Sequence, residues 1–408
     1  MAEATLTAAP TRGPFSHPQF DVIWAATSIA LTGIAISDAA SSWLMTTIDA
    51  DPRAVSLVQV ASNLPMFLFT LPAGALADLV KPRTFLIGLE IFIVVVMTAF
   101  GAAVHFHHAG AGMLLSVVFL LGASWSLGAP AWMSITPMLV PARHLERANA
   151  ANSVAYNVSR AVGPAIAGFA IVHFGPAAPY WMFAAADVVS VLALLWWRPV
   201  GGDAPRAHET LASAVGGGIR LAFSNRQFRQ TLGRTVAVYP FAAAYVAMLP
   251  LVAQRLGAGG AEYYGELLGL VSVGAILGAF ALDPLRARFS PDDTVAIGTL
   301  GLAAGLVLFG FAHSLPLAAI AALVCGSAWT LTLSVLYVSA QLSLADDVRG
   351  RGLGVFLTVI FGCVTAGAAL WGQLAALFGL TSAFVVAATA AVVLIPLRGR
   401  WKLKGTGS

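Results

Sequence analysis

"YNVSRAVGPAIAGF", Tyr156–Phe169, decides what kind of chain this is. A permanent charge at Arg160 and a helix-breaking Gly163–Pro164 pair share two turns of a stretch otherwise apolar enough for lipid. An arginine at the centre of a membrane helix costs roughly 2.5–3.5 kcal/mol on insertion scales, so it must meet a partner or water. Glycine lets helices approach closely, and proline leaves a backbone carbonyl unpaired and the axis bent. The pair therefore predicts either a flexed helix in a moving gate or plain tight packing.

Apolar residues make up 59% of the 408 and charged residues 10%, against about 45–50% and about 25% in soluble domains. One soluble core cannot hide that much apolar surface, so the fold class is an all-α membrane protein that crosses the bilayer many times. The first residues, "MAEATLTAAPTRGPFSHPQF", have no apolar core before a small-residue cleavage site, so the first helix is expected to be an uncleaved anchor. Cys325 and Cys363 fall in apolar runs and read as buried small hydrophobes. The net charge of +4 does not point to nucleic acid, because the basic residues lie at membrane edges.

A span needs about 20 mostly apolar residues. Such runs lie at 20–47, 54–79, 83–105, 111–139, 148–174, 178–197, 228–253, 263–285, 293–312, 316–343, 351–378 and 380–397, twelve transmembrane helices in all. Of the 22 Lys and Arg, only Arg53 and Arg255 fall in one set of alternate loops, and Arg160 lies within a span. The others lie in the tails and the opposite loops, with Arg234 in the first turns of helix seven on that same side. Lys and Arg stay on the cytoplasmic side, so both termini are expected there.

Shifted by 204 positions, the sequence aligns with itself: Gly122 and Trp125 meet Gly326 and Trp329, Arg147 meets Arg351, and Gly163, Gly168 and Gly175 meet Gly367, Gly372 and Gly379. Four more residues of offset join Phe20 to Phe228. Two pseudo-symmetric six-helix halves are therefore expected at 20–198 and 226–397, with tails 1–19 and 398–408 and a cytoplasmic linker 199–225. The linker has a polar start and a weak amphipathic stretch whose "GGG" makes any helix marginal.

Two related halves that rock about a site at their interface can expose it to each side in turn. No G-x-x-x-x-G-K-[ST] loop occurs, so direct use of ATP is not expected. "GALADLVKPR" (Gly74, Asp78, Lys81, Arg83) resembles the helix 2–3 loop motif of the major facilitator superfamily, with Leu79 where that motif has Arg. "LVPARHLERANAANS" (Glu146, Arg147) through "SRAVGPAIAG" (Gly163, Pro164, Gly168), together with "NRQFRQTL", resembles its drug- and siderophore-exporter branch, which includes enterobactin exporters. The "GPAIAG" piece matches only part of that branch's helix-five antiporter motif, since Ala150 and Ser159 replace earlier glycines. The resemblance implies the major facilitator fold, gating roles for these residues and for Arg351, and export, with proton antiport as its drive.

Depth estimates at 1.5 Å per residue put Arg160 ~18 Å and Asp187 ~15 Å from the inner end of their helices. The two are expected to pair, as a structural clamp or as part of the transport site. Asp38, in the outer part of helix one, is a candidate proton carrier or substrate-facing acid, or else a vestibule residue. Glu90 is expected to make a structural hydrogen bond, and Asp283 to end helix eight. Trp43, Asn63, Trp125, Trp132, Tyr156, Tyr239, Tyr245, Trp329 and Tyr337 are candidates to line a cavity for large amphipathic cargo, though Trp and Tyr also serve as interface anchors. "HFHH" (His105, His107, His108) falls in an outer loop, so no metal site and no cofactor is expected.

The function so read is export of amphipathic organic compounds across the bacterial cytoplasmic (inner) membrane. An uptake symporter or lipid translocator on the same fold, and more distantly a membrane receptor, are the alternatives. No G-x-S-x-G turn or His/Glu metal spacing suggests an enzyme. A small molecule, protons and the lipid bilayer are the expected partners, with no nucleic acid, for a monomer.

Overall fold

The computed structural model describes residues 13–198, 216, 220, 224–257, 260–345 and 348–404, with backbone alone for 74–79. Lipid offers no hydrogen bonds to a free N–H or C=O, so a spanning chain satisfies its backbone within helices. The helices are α1 Pro18–Ile48, α2 Pro52–Leu79, α3 Pro82–His105, α4 Ala111–Leu139, α5 Leu145–Phe174, α6 Ala178–Trp196, α7 Arg226–Val236, α8 Tyr239–Arg255, α9 Gly260–Arg286, α10 Pro291–Gly310, α11 Leu315–Leu342, α12 Arg349–Phe378 and α13 Leu380–Val393. Many begin with Pro in the first turn, where the missing N–H costs nothing. Asp51, Asn225 and Ser290 cap theirs by accepting from a backbone N–H.

Among the described residues, 11 helical runs are long and apolar enough to cross a membrane, with α7 and α8 counted as one. The twelfth expected span, α5, has 30 residues but falls outside that set. Its residues 145–160 include Glu146, Arg147, Asn149, Asn152, Ser153, Asn157 and Arg160, which makes it too polar. It nevertheless packs lengthwise between α1 and α9. The seventh span, expected as one helix over 228–253, is broken between Val236 and Tyr239. Pro240 has no N–H for the ladder and disfavours helical geometry in the residue before it. The last span stops at Val393 and tightens into a 3-10 turn over Ile395–Gly399, which contains Pro396. The linker expected at 199–225 lies almost wholly outside the described residues.

The 204-residue repeat reappears as packing. A Cβ on Gly163 of α5 would strike Ala35 of α1, and one on Gly367 of α12 would strike Ala243 and the Pro240 carbonyl of α8. Gly122 of α4 faces the Ser62 carbonyl of α2 as Gly326 of α11 faces the Val271 carbonyl of α9. Gly175 and Gly379 end α5 and α12 with φ of 88° and 85°, a region open only to glycine at low cost. The halves meet along two seams related by the same repeat. In one, Gly168 of α5 abuts the Ala261 carbonyl of α9. In the other, Gly372 of α12 abuts Ser56 and the Pro52 carbonyl of α2.

Hydrogen bonds gather the opposite helix ends. Arg83 donates to the Leu194 and Leu195 carbonyls at the end of α6, and His17 meets His144. Asn225 donates to the Ser343 carbonyl, and Arg398 pairs with Asp293 at 2.7 Å. This end, which also holds the described chain termini, is called the terminal end, and its opposite the far end. Residues 400–404 are docked on it: Gln227 donates to the Lys402 carbonyl and the Lys404 N–H to Ser339.

Because a Cβ on Gly265 would lie 2.6 Å from the Pro164 carbonyl while one on Gly88 would meet nothing within 4 Å, the two glycines should answer differently to enlargement. Overpacking costs about 1–3 kcal/mol. Gly265→Val should sharply lower the monodisperse yield in detergent, and Gly88→Val should leave it unchanged. Equal yields by fluorescence-detected size exclusion would contradict the seam.

Candidate functional site between the halves

Pro164 has no N–H to give to the carbonyl four residues earlier, that of Arg160. Ser272 of α9 reaches it across the seam, its one hydroxyl hydrogen shared between the Arg160 carbonyl and the Leu268 carbonyl of its own helix, each 3.1 Å away. Gly265 and Gly269 bring α9 close enough, facing the Pro164 and Ala161 carbonyls. Of the glycine–proline pair, Gly163 packs α5 on α1 within one half and Pro164 meets α9 across the halves.

The Arg160 side chain goes elsewhere. Its guanidinium donates to the Tyr156 hydroxyl at 3.1 Å and lies 5.7 Å from that ring's centre. Both residues are exposed, as are Asn149, Ser153 and Asn157, which helical spacing places on one polar stripe. Nearer the far end the continuation of that face, Pro164, Ala167 and Gly168, is buried. The same surface of α5 is thus open toward the terminal end and sealed toward the far end.

Asp38 stands exposed in α1 between buried Ser37 and Ala39 and interacts electrostatically with Arg160. Tyr245 of α8 interacts with Arg160, and Tyr264 of α9 with Asp38. Four helices from both halves converge on the two charges. Above them Trp43 stacks on Tyr264, ring centres 6.2 Å apart and planes 26° apart, and presses on Gly260. This contact joins α1 and α9 toward the far end. A depression of about 430 Å³ lies outside it, lined by Trp43, Gln254, Gly260 and Glu262 among others, and holds neither Arg160 nor Asp38.

The expected Arg160–Asp187 pair does not form. Asp187 is 1% exposed and lies against Glu90, itself 5% exposed, which accepts from the Trp132 indole at 3.3 Å. Neither Asp187 oxygen has a conventional donor. These groups tie α3, α4 and α6 together inside one half. Trp132 accordingly points into the packing around Phe20, Leu86 and Ile135 and not into the space between halves.

The other sequence candidates divide. Tyr239 and Tyr245 are buried against Trp329, with ring centres 5.0 and 6.3 Å away, and Tyr337 packs edge-on to Phe356. Trp125 is half-buried, and Asn63 donates to the Gln59 carbonyl within its own helix. Gly74 and Asp78 lie where only backbone is described. Lys81 stands at the start of α3 and has a partner, Arg83 latches α3 to α6, and Glu146, Arg147 and Arg351 are exposed at the terminal end. Sequence reasoning missed Ser272, Gly265 and Tyr264. Pro164 announced an orphaned carbonyl, but not which helix would answer it.

Separate environments for Arg160 and Asp187 should give energetic independence. Unfolding free energies of Arg160→Ala and Asp187→Ala should add in the double variant to within about 0.5 kcal/mol. Glu90→Gln and Asp187→Asn, which touch, should not add. Denaturation in detergent measures both cycles, and a coupling above about 1 kcal/mol between residues 160 and 187 would refute this geometry.

A family profile described as "Transmembrane secretion effector" matches residues 9–407. The multidrug efflux pump Tap of Mycobacterium tuberculosis is 26% identical over 390 residues, covering 91% of this chain and 90% of that protein. The enterobactin exporter EntS of Escherichia coli is 27% identical over 281 residues, covering 64% of each. Among solved structures, the nucleoside transporter NupG superposes with a TM-score of 0.75 at 11% identity, over 95% of this chain and 100% of that one. The Escherichia coli fucose:proton symporter FucP does so with 0.59 at 14% identity, over 95% and 100%. These last two share the major facilitator fold. The chain is a multi-pass membrane transporter, not an enzyme, and belongs to the transmembrane secretion effector family of the major facilitator superfamily.

Proposed function

We propose that this transporter exports amphipathic organic compounds by alternating access, driven by proton antiport, from a bacterial inner membrane with the terminal end cytoplasmic. The observation that carries this reading is the α5 stripe, polar and open toward the terminal end yet sealed toward the far end. Cargo would load beside Tyr156 and Arg160 while the Trp43–Tyr264 stack bars the exterior. Rocking of the halves would part that stack and close the terminal end. The bias of Lys and Arg toward the terminal-end loops supports the orientation. The similarity to Tap, a multidrug efflux pump, and to EntS, an enterobactin exporter, supports the direction.

Asp38 is our choice for the proton-carrying group. It lies between the halves, within electrostatic reach of Arg160, so its surroundings would change with each swing. Glu90 and Asp187 sit inside one half and would travel with it. The rival uptake symporter would use the same charges in the other direction, and one experiment separates the two. Inside-out vesicles with an acid interior should load a fluorescent amphipathic dye as the pH gradient decays. Asp38→Asn should lose this loading while retaining folded yield and dye binding. Gradient-driven loss of dye from the vesicles would establish symport instead.

A further inference from the structure

The space around Arg160 is not walled alike on its two flanks. Along one flank α2 and α12 stay together over most of their length. A Cβ on Gly372 would strike Ser56, one on Gly362 would lie 2.8 Å from the Phe67 ring, and one on Gly354 3.4 Å from Leu71. Along the other flank, α5 and α9 touch from Gly168 and Ala261 as far as the Arg160 carbonyl and Ser272. Beyond that hydrogen bond, helical spacing turns Ser153 and Asn157 of α5 toward Ile276, Ala279 and Asp283 of α9. All five are exposed, where a continuous seam would bury them.

The difference is written in the repeat. Ser153 and Asn157 correspond, at 204 residues, to Leu357 and Phe361 of α12, which are apolar and partly covered. One flank therefore carries a greasy seal and the other a polar-lined slot. The outer lips of that slot are apolar: Val154 and Val158 on α5, Leu277 and Phe280 on α9, all exposed. At its inner end waits Arg160. A guanidinium has five N–H donors, and the hydrogen bond to Tyr156 uses one of them. Asp38 acts on it through space without a salt bridge, so the fork stays available to a carboxylate or phosphate.

We infer that cargo enters this space sideways from the membrane, as a single-chain amphipath whose tail lies in the α5–α9 slot and whose acidic head is held by Arg160. The inference rests on the transport reading above and adds to it a route and a head-group charge. Apolar lips keep the tail solvated by hydrocarbon or protein, while the polar stripe brings the head inward without crossing lipid unpaired. The α2–α12 flank offers no such path.

The test uses the full chain in vesicles of phosphatidylethanolamine and phosphatidylglycerol, with a diazirine-bearing fatty acid as photoprobe and the matching fatty alcohol as control. Adducts are mapped by mass spectrometry. The acid should label Ser153, Asn157 and Ile276 well above Leu357 and Phe361. Arg160→Gln should lower that labelling about tenfold, as expected for losing a hydrogen bond to a charged group. Arg160→Lys, which keeps the charge, should retain part of it, and the alcohol should not distinguish the three proteins. Equal labelling of both flanks would overturn the slot, and acid labelling indifferent to Arg160→Gln would overturn the head-group assignment. Dye loading that persists with no acid adducts refutes this inference alone. Acid adducts with no dye transport refute the export reading and leave the slot standing.

Discussion

A backbone carbonyl cannot be left alone in hydrocarbon, and the Arg160 carbonyl is one place where this chain meets that rule. Pro164 takes away its helical donor, and the Ser272 hydroxyl, shared with the Leu268 carbonyl, reaches it from the other half of the molecule. A hydrogen bond between halves here does what an apolar contact could not, because lipid tails are as apolar as any side chain that might compete for them. It also fixes register: with residue 160 opposite residue 272, Gly168 falls on Ala261 and Gly265 on Pro164. One residue thus serves two ends, its carbonyl binding the halves together and its guanidinium occupying the gap just below.

The seams bear on how such a molecule would be both rigid and able to move under the alternating access proposed above. Within each half the same glycines let helices touch backbone to backbone, Gly163 on Ala35 and Gly367 on Ala243, so each half behaves as a packed block. Between halves, the α5–α9 contacts above residue 160 are of the same close kind and below it their side chains are exposed, while α2 and α12 stay together. Motion that preserves packing is then confined to swinging one block on the other. The aromatic lid fits this picture, since Trp43 and Tyr264 meet by stacking, without a hydrogen bond that would have to be replaced when they part.

Much of this was legible in the sequence. Composition and charge placement specify a helical chain crossing the membrane repeatedly, and the 204-residue repeat pairs glycines that prove to do identical work. Arg160 was read as needing a partner or water, and its guanidinium donates to the Tyr156 hydroxyl. Its partner was misread for a geometric reason: counting residues gives depth along a helix, not direction around it. Arg160 and Asp187 lie at similar depths, yet Arg160 faces the gap while Asp187 faces Glu90 on α3. Trp132 was assigned to the cavity by the same shortcut and points instead at Glu90. The broken seventh helix could have been read, since Pro240 stands in its middle. Ser272 could not, because nothing in α9 itself says that a carbonyl in α5 will need a donor.

Direction around the helix also bears on where energy could be coupled to movement. A group that reports on the cycle must change its solvent or its charged neighbours as the halves swing. Glu90 and Asp187 are surrounded by their own half, with Trp132 fixed beside them, so a rigid-body motion leaves their environment as it was. Asp38 and Arg160 project from α1 and α5 into the gap, and the tyrosines that face them, Tyr245 and Tyr264, belong to the opposite half. Any swing changes those distances, and with them the energy of carrying each charge. Among the described acids at membrane depth in the first half, Asp38 stands exposed between the halves, whereas Glu90 and Asp187 are buried within their own.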